Sequence, residues 1–179
     1  RVGKDLPPLR EIVVAVGAVL GAEAPLPVIR ELLRGRERLV LRAIAGRTLV
    51  TATKDMTVRD ACRLMVEKKI GAVLVVEKGR IAGIFTERDA LTKVLAASLD
   101  PDKTTVAKVM VADLQTIRAA QPLAYALHMM AEGGFRHVPV VDDNGLPLGM
   151  VSARDALGQD MLELEREIKR QEELETSIG

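Results

Sequence analysis

Gly83-Ile84-Phe85-Thr86-Glu87-Arg88-Asp89 decides how this chain is read, because it returns as Gly149-Met150-Val151-Ser152-Ala153-Arg154-Asp155. Both stretches run Gly, apolar, x, Ser/Thr, x, Arg, Asp. In each, an apolar run ends in a hydroxyl residue, and an acidic residue follows three places later as a helical pattern begins. That is the signature of a strand entering a capped helix. Gly149 lies 66 residues after Gly83, and Asp155 lies 66 after Asp89, so the chain contains a duplicated unit.

Outward from the motif, the repeat can be followed from about Leu39 at an offset of 65 until the second copy gains one residue. Leu41 and Ile44 align with Val106 and Val109, and Leu49 and Thr51 with Leu114 and Thr116. Val58, Ala61, Cys62 and Met65 align with Leu123, Ala126, Leu127 and Met130, each set spaced as one buried helical face. Cys62 therefore reads as a small buried hydrophobe, the counterpart of Leu127, and not as a reactive thiol. Ile70 to Val76 and Phe135 to Val141 read as strands. Each ends in a turn, Lys78-Gly79 in one copy and Asp142-Asp143-Asn144-Gly145 in the other, and Asn-Gly is a strong hairpin signal. One unit is thus β-α-β-β-α, an α+β architecture. A unit of roughly 60 residues would bury only about 60% of its unfolded surface and be marginal alone, so two must pack together.

The repeats occupy residues 39–100 and 101–160, between an N-terminal extension, 1–38, and a C-terminal helical extension, 161–179. The first extension is interrupted by Pro7-Pro8 and by Gly21 to Pro27, and Val28 to Arg34 has helical character. Near the other end, Leu157, Met161, Leu164 and Ile168 form a short heptad-like seam among charged residues. Arg1 points to a start farther upstream.

Composition removes several function classes. The formal charge is +1, from 26 basic and 25 acidic residues that are well mixed, which gives no field for nucleic acid. Aromatic residues make up 2%, and no Trp is present to stack bases. One Cys and two His, His128 and His137, offer neither a disulfide nor a zinc-site spacing. No apolar stretch approaches the roughly 20 residues of a spanning helix, so a cytoplasmic protein is expected. His128 reads as a surface or partly buried helix residue. Catalysis has no spacing to support it, and residues 1–38 hold no His or Cys.

Both copies resemble the cystathionine β-synthase (CBS) domain, and the pair is similar to a Bateman module over about Leu39 to Gln159. The resemblance implies two repeats packed about a pseudo-twofold axis, with clefts that take adenosine-containing ligands such as AMP, ADP, ATP or S-adenosylmethionine. The family's ligand motif is Gly, apolar, x, Ser/Thr, x, x, Asp, and both copies match it in full. The ligand-binding residues so implied are Gly83, Thr86, Arg88 and Asp89 in one copy and Gly149, Ser152, Arg154 and Asp155 in the other. Thr51, Thr116 and the strand segments Ala72-Val73 and His137-Val138-Pro139 are the implied cleft walls, and Arg136 joins the ligand-binding set.

The residue types suit that role. A helix N-terminus with a hydroxyl beside it favours phosphate, and an Asp accepts from both ribose hydroxyls. Arg88, Arg136 and Arg154 can neutralise phosphate, and Gly83 and Gly149 allow close backbone approach. The same Ser/Thr-x-x-Asp pattern is also a capping box that needs no ligand. The resemblance further implies a homodimer, a regulated enzyme or transporter as partner, no cofactor and no metal. A structural dimerisation module without a ligand is the alternative.

Overall fold

The computed structural model describes residues 39–153. The expectations placed on residues 1–38, on Arg154 and Asp155, and on the Leu157 to Ile168 seam lie outside the described residues. In chain order the elements are α1 (Val40–Ile44), β1 (Thr51–Ala52), α2 (Val58–Lys68), β2 (Ala72–Glu77), β3 (Arg80–Thr86) and α3 (Glu87–Asp89). The last widens directly into a π-helical stretch, Ala90–Leu95. Then follow α4 (Val106–Val109), β4 (Ile117–Arg118), α5 (Leu123–Gly133), β5 (His137–Val141) and β6 (Pro147–Ser152).

Two three-stranded sheets repeat one design. In the first, β1 lies parallel to β2, pairing Ala52 with Val75, and β2 runs antiparallel to β3 from Ala72↔Thr86 to Glu77↔Arg80. In the second, β4 lies parallel to β5 and pairs Ile117 with Val140, which is the Ala52–Val75 pair moved on by 65 residues. The β2–β3 hairpin turns through Lys78 and Gly79, both at positive φ (50° and 78°). The second turn has positive φ only at Gly145, and Asp142 Oδ1 accepts from the amides of Asn144 and Leu146 (2.9 and 2.7 Å). Asn-Gly thus marks a hairpin here through an Asx turn, with Asn144 outside the left-handed region.

The run of apolar residues in β2 shows no alternation because it is covered on both faces. Val73 and Val75 pack with Phe85 from β3, with Val58, Ala61 and Met65 from α2, and with Val106 and Val109 from α4. Ala72, Leu74 and Ile84 point the other way, toward Leu49, Leu114 and Met150. Met65 and Met130 are core residues, as their helical spacing predicts, whereas Cys62 is only half-buried although its counterpart Leu127 is buried.

The described chain divides into two compact units that do not coincide with the repeats: 46–118 with 139–150, and 39–45 with 119–138 and 151–153. The leading helix of each repeat explains why. In one unit the amides of Val40 and Leu41 donate to the carbonyls of Gln121 and Ala119 (2.9 Å each). In the other, the amides of Val106 and Ala107 donate to those of Met56 and Lys54 (2.9 and 3.1 Å). Each repeat's first helix therefore docks at the start of the helix of its sister. Because Met56 corresponds to Gln121, these bonds equate Val40 with Val106, one residue from the alignment of Leu41 with Val106. Burial agrees, since Val40, Ala43 and Ile44 are buried and Leu41 is exposed.

Candidate functional site

In the first copy the end of β3 delivers Thr86 to the start of α3, and local chemistry fixes the turn. The Thr86 backbone N–H and hydroxyl both donate to Asp89 Oδ2 (3.0 and 2.6 Å), while Thr86 Oγ1 accepts from the Asp89 amide (3.2 Å). This is a full capping box. Asp89 Oδ1 receives Lys93 Nζ at 2.8 Å, and Lys93 also donates to the Val109 carbonyl at 2.9 Å. Asp89 is 7% exposed, one of two buried polar residues among those described. A diol reaching this carboxylate must share Oδ1 with Lys93 or displace it.

The helix after Asp89 departs from the regular α form the sequence predicts. Thr92 Oγ1 donates to the Arg88 carbonyl (2.7 Å) and so occupies the acceptor that its own amide would use in an α-helix. The Ala96 amide reaches back five residues to Leu91 (2.9 Å). A threonine hydroxyl that bonds back in this way competes with the backbone ladder.

Gly83 has a structural reason to be glycine. It lies in β3 opposite Val75, and a Cβ there would come within 2.7 Å of both the Val111 carbonyl oxygen and Met110 Sδ. The neighbouring Ile84 exchanges two backbone hydrogen bonds with Val111, each 2.9 Å. Close backbone approach is thus achieved by the protein's own 110–111 segment.

The remaining predicted residues fall as follows. Ala72 is buried and pairs with Thr86, so these two and Asp89 are brought together. Thr51 pairs with Leu74 and is exposed, as is Thr116 just before β4. Arg88 is exposed. In the second copy Gly149 and Pro139 are buried, Ser152 and His137 are half-buried, and Arg136 is exposed. The Ala153 amide donates to the Arg136 carbonyl at 3.0 Å, as the Glu87 amide does to Gly71 at 3.0 Å. Sequence reading overlooked Lys93, although its place four residues after Asp89 on a helix is a legible ion-pair signal. It gave no role to Gly71 or to Glu87, whose carboxylate lies over that glycine. Among the described residues no cluster of His, Cys, Asp or Glu could hold a metal, and no helix is long and apolar enough to cross a membrane.

With this geometry established, comparison with known proteins places the chain. The family model described as the CBS domain matches twice, over residues 41–96 and 106–160. The chain belongs to the CBS domain family. The tandem CBS pair is 38% identical over 96 residues to the meiotically up-regulated gene 70 protein of Schizosaccharomyces pombe, covering 54% of this chain but only 13% of that protein. A solved protein with CBS domains from Burkholderia ambifaria is 38% identical, with a TM-score of 0.63 over 67% of this chain and 89% of that one. The CBS domain pair of protein MJ0100, solved in complex with 5′-methylthioadenosine and S-adenosyl-L-methionine, is 26% identical with a TM-score of 0.58, covering 65% of this chain and 90% of that one. The fold is that of tandem CBS domains.

Proposed function

We propose that this CBS pair is a regulatory ligand-sensing module that binds adenosine-containing ligands, AMP, ADP, ATP or S-adenosylmethionine, and performs no catalysis of its own. The observation that carries the reading is the pair of matched motifs, in one of which a buried Asp89 stands at a strand end beside the Thr86 hydroxyl. A carboxylate so placed suits a ribose diol, and the arginines nearby suit phosphate. The adenosine-type ligands bound by the related pair of MJ0100 support the same class. The regulated enzyme or transporter is then a separate domain or partner.

The module acts as a homodimer. Leu91 and Leu95 are 58% and 71% exposed beside Val66 at 79%. Together with Cys62, Leu99 and Pro101 they line an open apolar groove of about 790 Å³. An exposed apolar patch of this kind marks an interaction surface. A second reading, dimerisation without a ligand, draws support from the capping box, which already satisfies Thr86 and Asp89 within the chain. Thermal denaturation separates the two. A ligand at a hundredfold excess over its Kd stabilises the folded state by about 2.7 kcal/mol, so one adenosine ligand shifts the melting curve. Unchanged melting with every adenine nucleotide and with S-adenosylmethionine at millimolar concentration leaves the structural reading.

A further inference from the structure

The two copies of the motif match in sequence but differ in what stands beside the hydroxyl. In the first copy the partners of one backbone hydrogen bond are Gly71 and Glu87; in the second the same bond joins Arg136 and Ala153. Bulk and charge have changed sides. A Cβ on Gly71 would collide with the Glu87 carboxylate, which lies over that glycine. In the second copy the strand residue is the long, cationic Arg136, and the facing position is reduced to Ala153. Gly71 lies one residue before Ala72, which pairs with Thr86. Arg136 lies one residue before His137, the counterpart of Ala72. Each pair thus adjoins its hydroxyl residue along the backbone, Glu87 following Thr86 and Ala153 following Ser152.

The remaining charges do not remove the difference. Arg88 recurs as Arg154 in the sequence and is common to both copies. Lys93 is held by Asp89 and by the Val109 carbonyl, so it balances Asp89 and leaves Glu87 uncompensated. Glu87 has no ion pair within salt-bridge distance among the described residues; it is exposed, follows Thr86 in the chain and holds its carboxylate over Gly71. A dianionic phosphate brought to the motif of the first copy is opposed by the negative charge carried at Glu87, and brought to the motif of the second it is favoured by the guanidinium charge of Arg136, a group whose fork suits phosphate.

From this exchange of Gly71–Glu87 for Arg136–Ala153, we infer that the two copies take different ligand chemistries. The second copy binds the phosphorylated nucleoside, and the first binds an adenosine-type ligand with an uncharged or cationic 5′ substituent. This rests on the proposed function and refines it by assigning a ligand class to each copy.

The test is calorimetric titration of the full chain with AMP and with adenosine, for the parent, Arg136→Gln and Glu87→Ala. Glu87 and Arg136 are exposed, and melting curves without ligand verify that both variants fold. The parent binds AMP at one site per chain. Arg136→Gln lowers the AMP-to-adenosine affinity ratio about tenfold or more, as loss of a charge-assisted hydrogen bond requires. Glu87→Ala leaves that site intact and raises AMP affinity at a second one. If Arg136→Gln leaves the ratio unchanged, or Glu87→Ala removes the AMP site, the inference is overturned while nucleotide binding stands. If neither AMP nor adenosine binds the parent, the proposed function fails, and this inference with it.

Discussion

Gly83→Ala separates two reasons for a glycine in the motif. The added Cβ would sit 2.7 Å from the Val111 carbonyl oxygen and from Met110 Sδ. The Met110 thioether can swing away, but the carbonyl belongs to the backbone bridge with Ile84, so the 110–111 segment has to withdraw. The two Ile84–Val111 hydrogen bonds, 2.9 Å each, are then stretched or lost. At roughly 0.5–1.5 kcal/mol per bond the cost is about 1–3 kcal/mol. The lower entropy of an unfolded alanine offsets about 0.4–1 kcal/mol of this, because Gly83 is not among the residues at positive φ. Taking the middle of each range, the net loss is about 1.3 kcal/mol, which for a chain of this size is a fall in Tm of about 3–5 °C. Scanning calorimetry of the ligand-free variant measures it. An unchanged Tm together with loss of ligand binding refutes the packing account and returns Gly83 to a role in ligand approach.

Three further outcomes follow from the same structure. Phe85→Ala empties a fully buried site between α2 and the first sheet and costs about 3–5 kcal/mol, read as a lower denaturant midpoint with an unchanged slope. Leu91→Glu with Leu95→Glu places charge in the open groove; light scattering then gives a mass near the 19.4 kDa monomer, whereas the parent gives twice that. Asp142 accepts the amides of Leu146 and Asn144, which holds its carboxyl below the usual 3.8. A depressed folded pKa means that the contribution is complete above about pH 3.8 and disappears as pH falls through the folded value. The stability gap between the parent and Asp142→Ala, measured by urea denaturation at pH 7 and pH 2.5, is therefore narrower at the lower pH.

Most of the fold was legible because a duplication checks itself. Val58, Ala61 and Met65 keep helical spacing in both copies, and the Gly83 motif marks the point where β3 enters α3. Features that depend on partners distant in sequence were hidden. The docking of Val40 and Leu41 onto Ala119 and Gln121 cannot be seen in local spacing, and an alignment by hydrophobicity alone slips to Leu41. The same limit applies to Gly83, whose neighbour Val111 is 28 residues away in the chain. Local spacing does not separate Val94 from its apolar neighbours Leu91 and Leu95 either, yet Val94 is core, while Leu91 and Leu95 stand in the open. Within the site, the residue types of the motif were readable, including the capping box. The contrast of Gly71–Glu87 with Arg136–Ala153 was present in the sequence, but it became visible only when one backbone hydrogen bond identified the four positions as equivalents.

Calorimetric titration of AMP and of S-adenosylmethionine into the parent chain and into the Asp89→Ala, Asp155→Ala double variant tests the central claim most directly. The account predicts saturable binding of at least one of these ligands by the parent. The double variant should bind it about tenfold to a hundredfold more weakly, since each carboxylate removed takes with it charge-assisted bonds worth roughly 1.5–3 kcal/mol. A double variant that folds and titrates like the parent, or a parent that binds neither ligand at millimolar concentration, contradicts it.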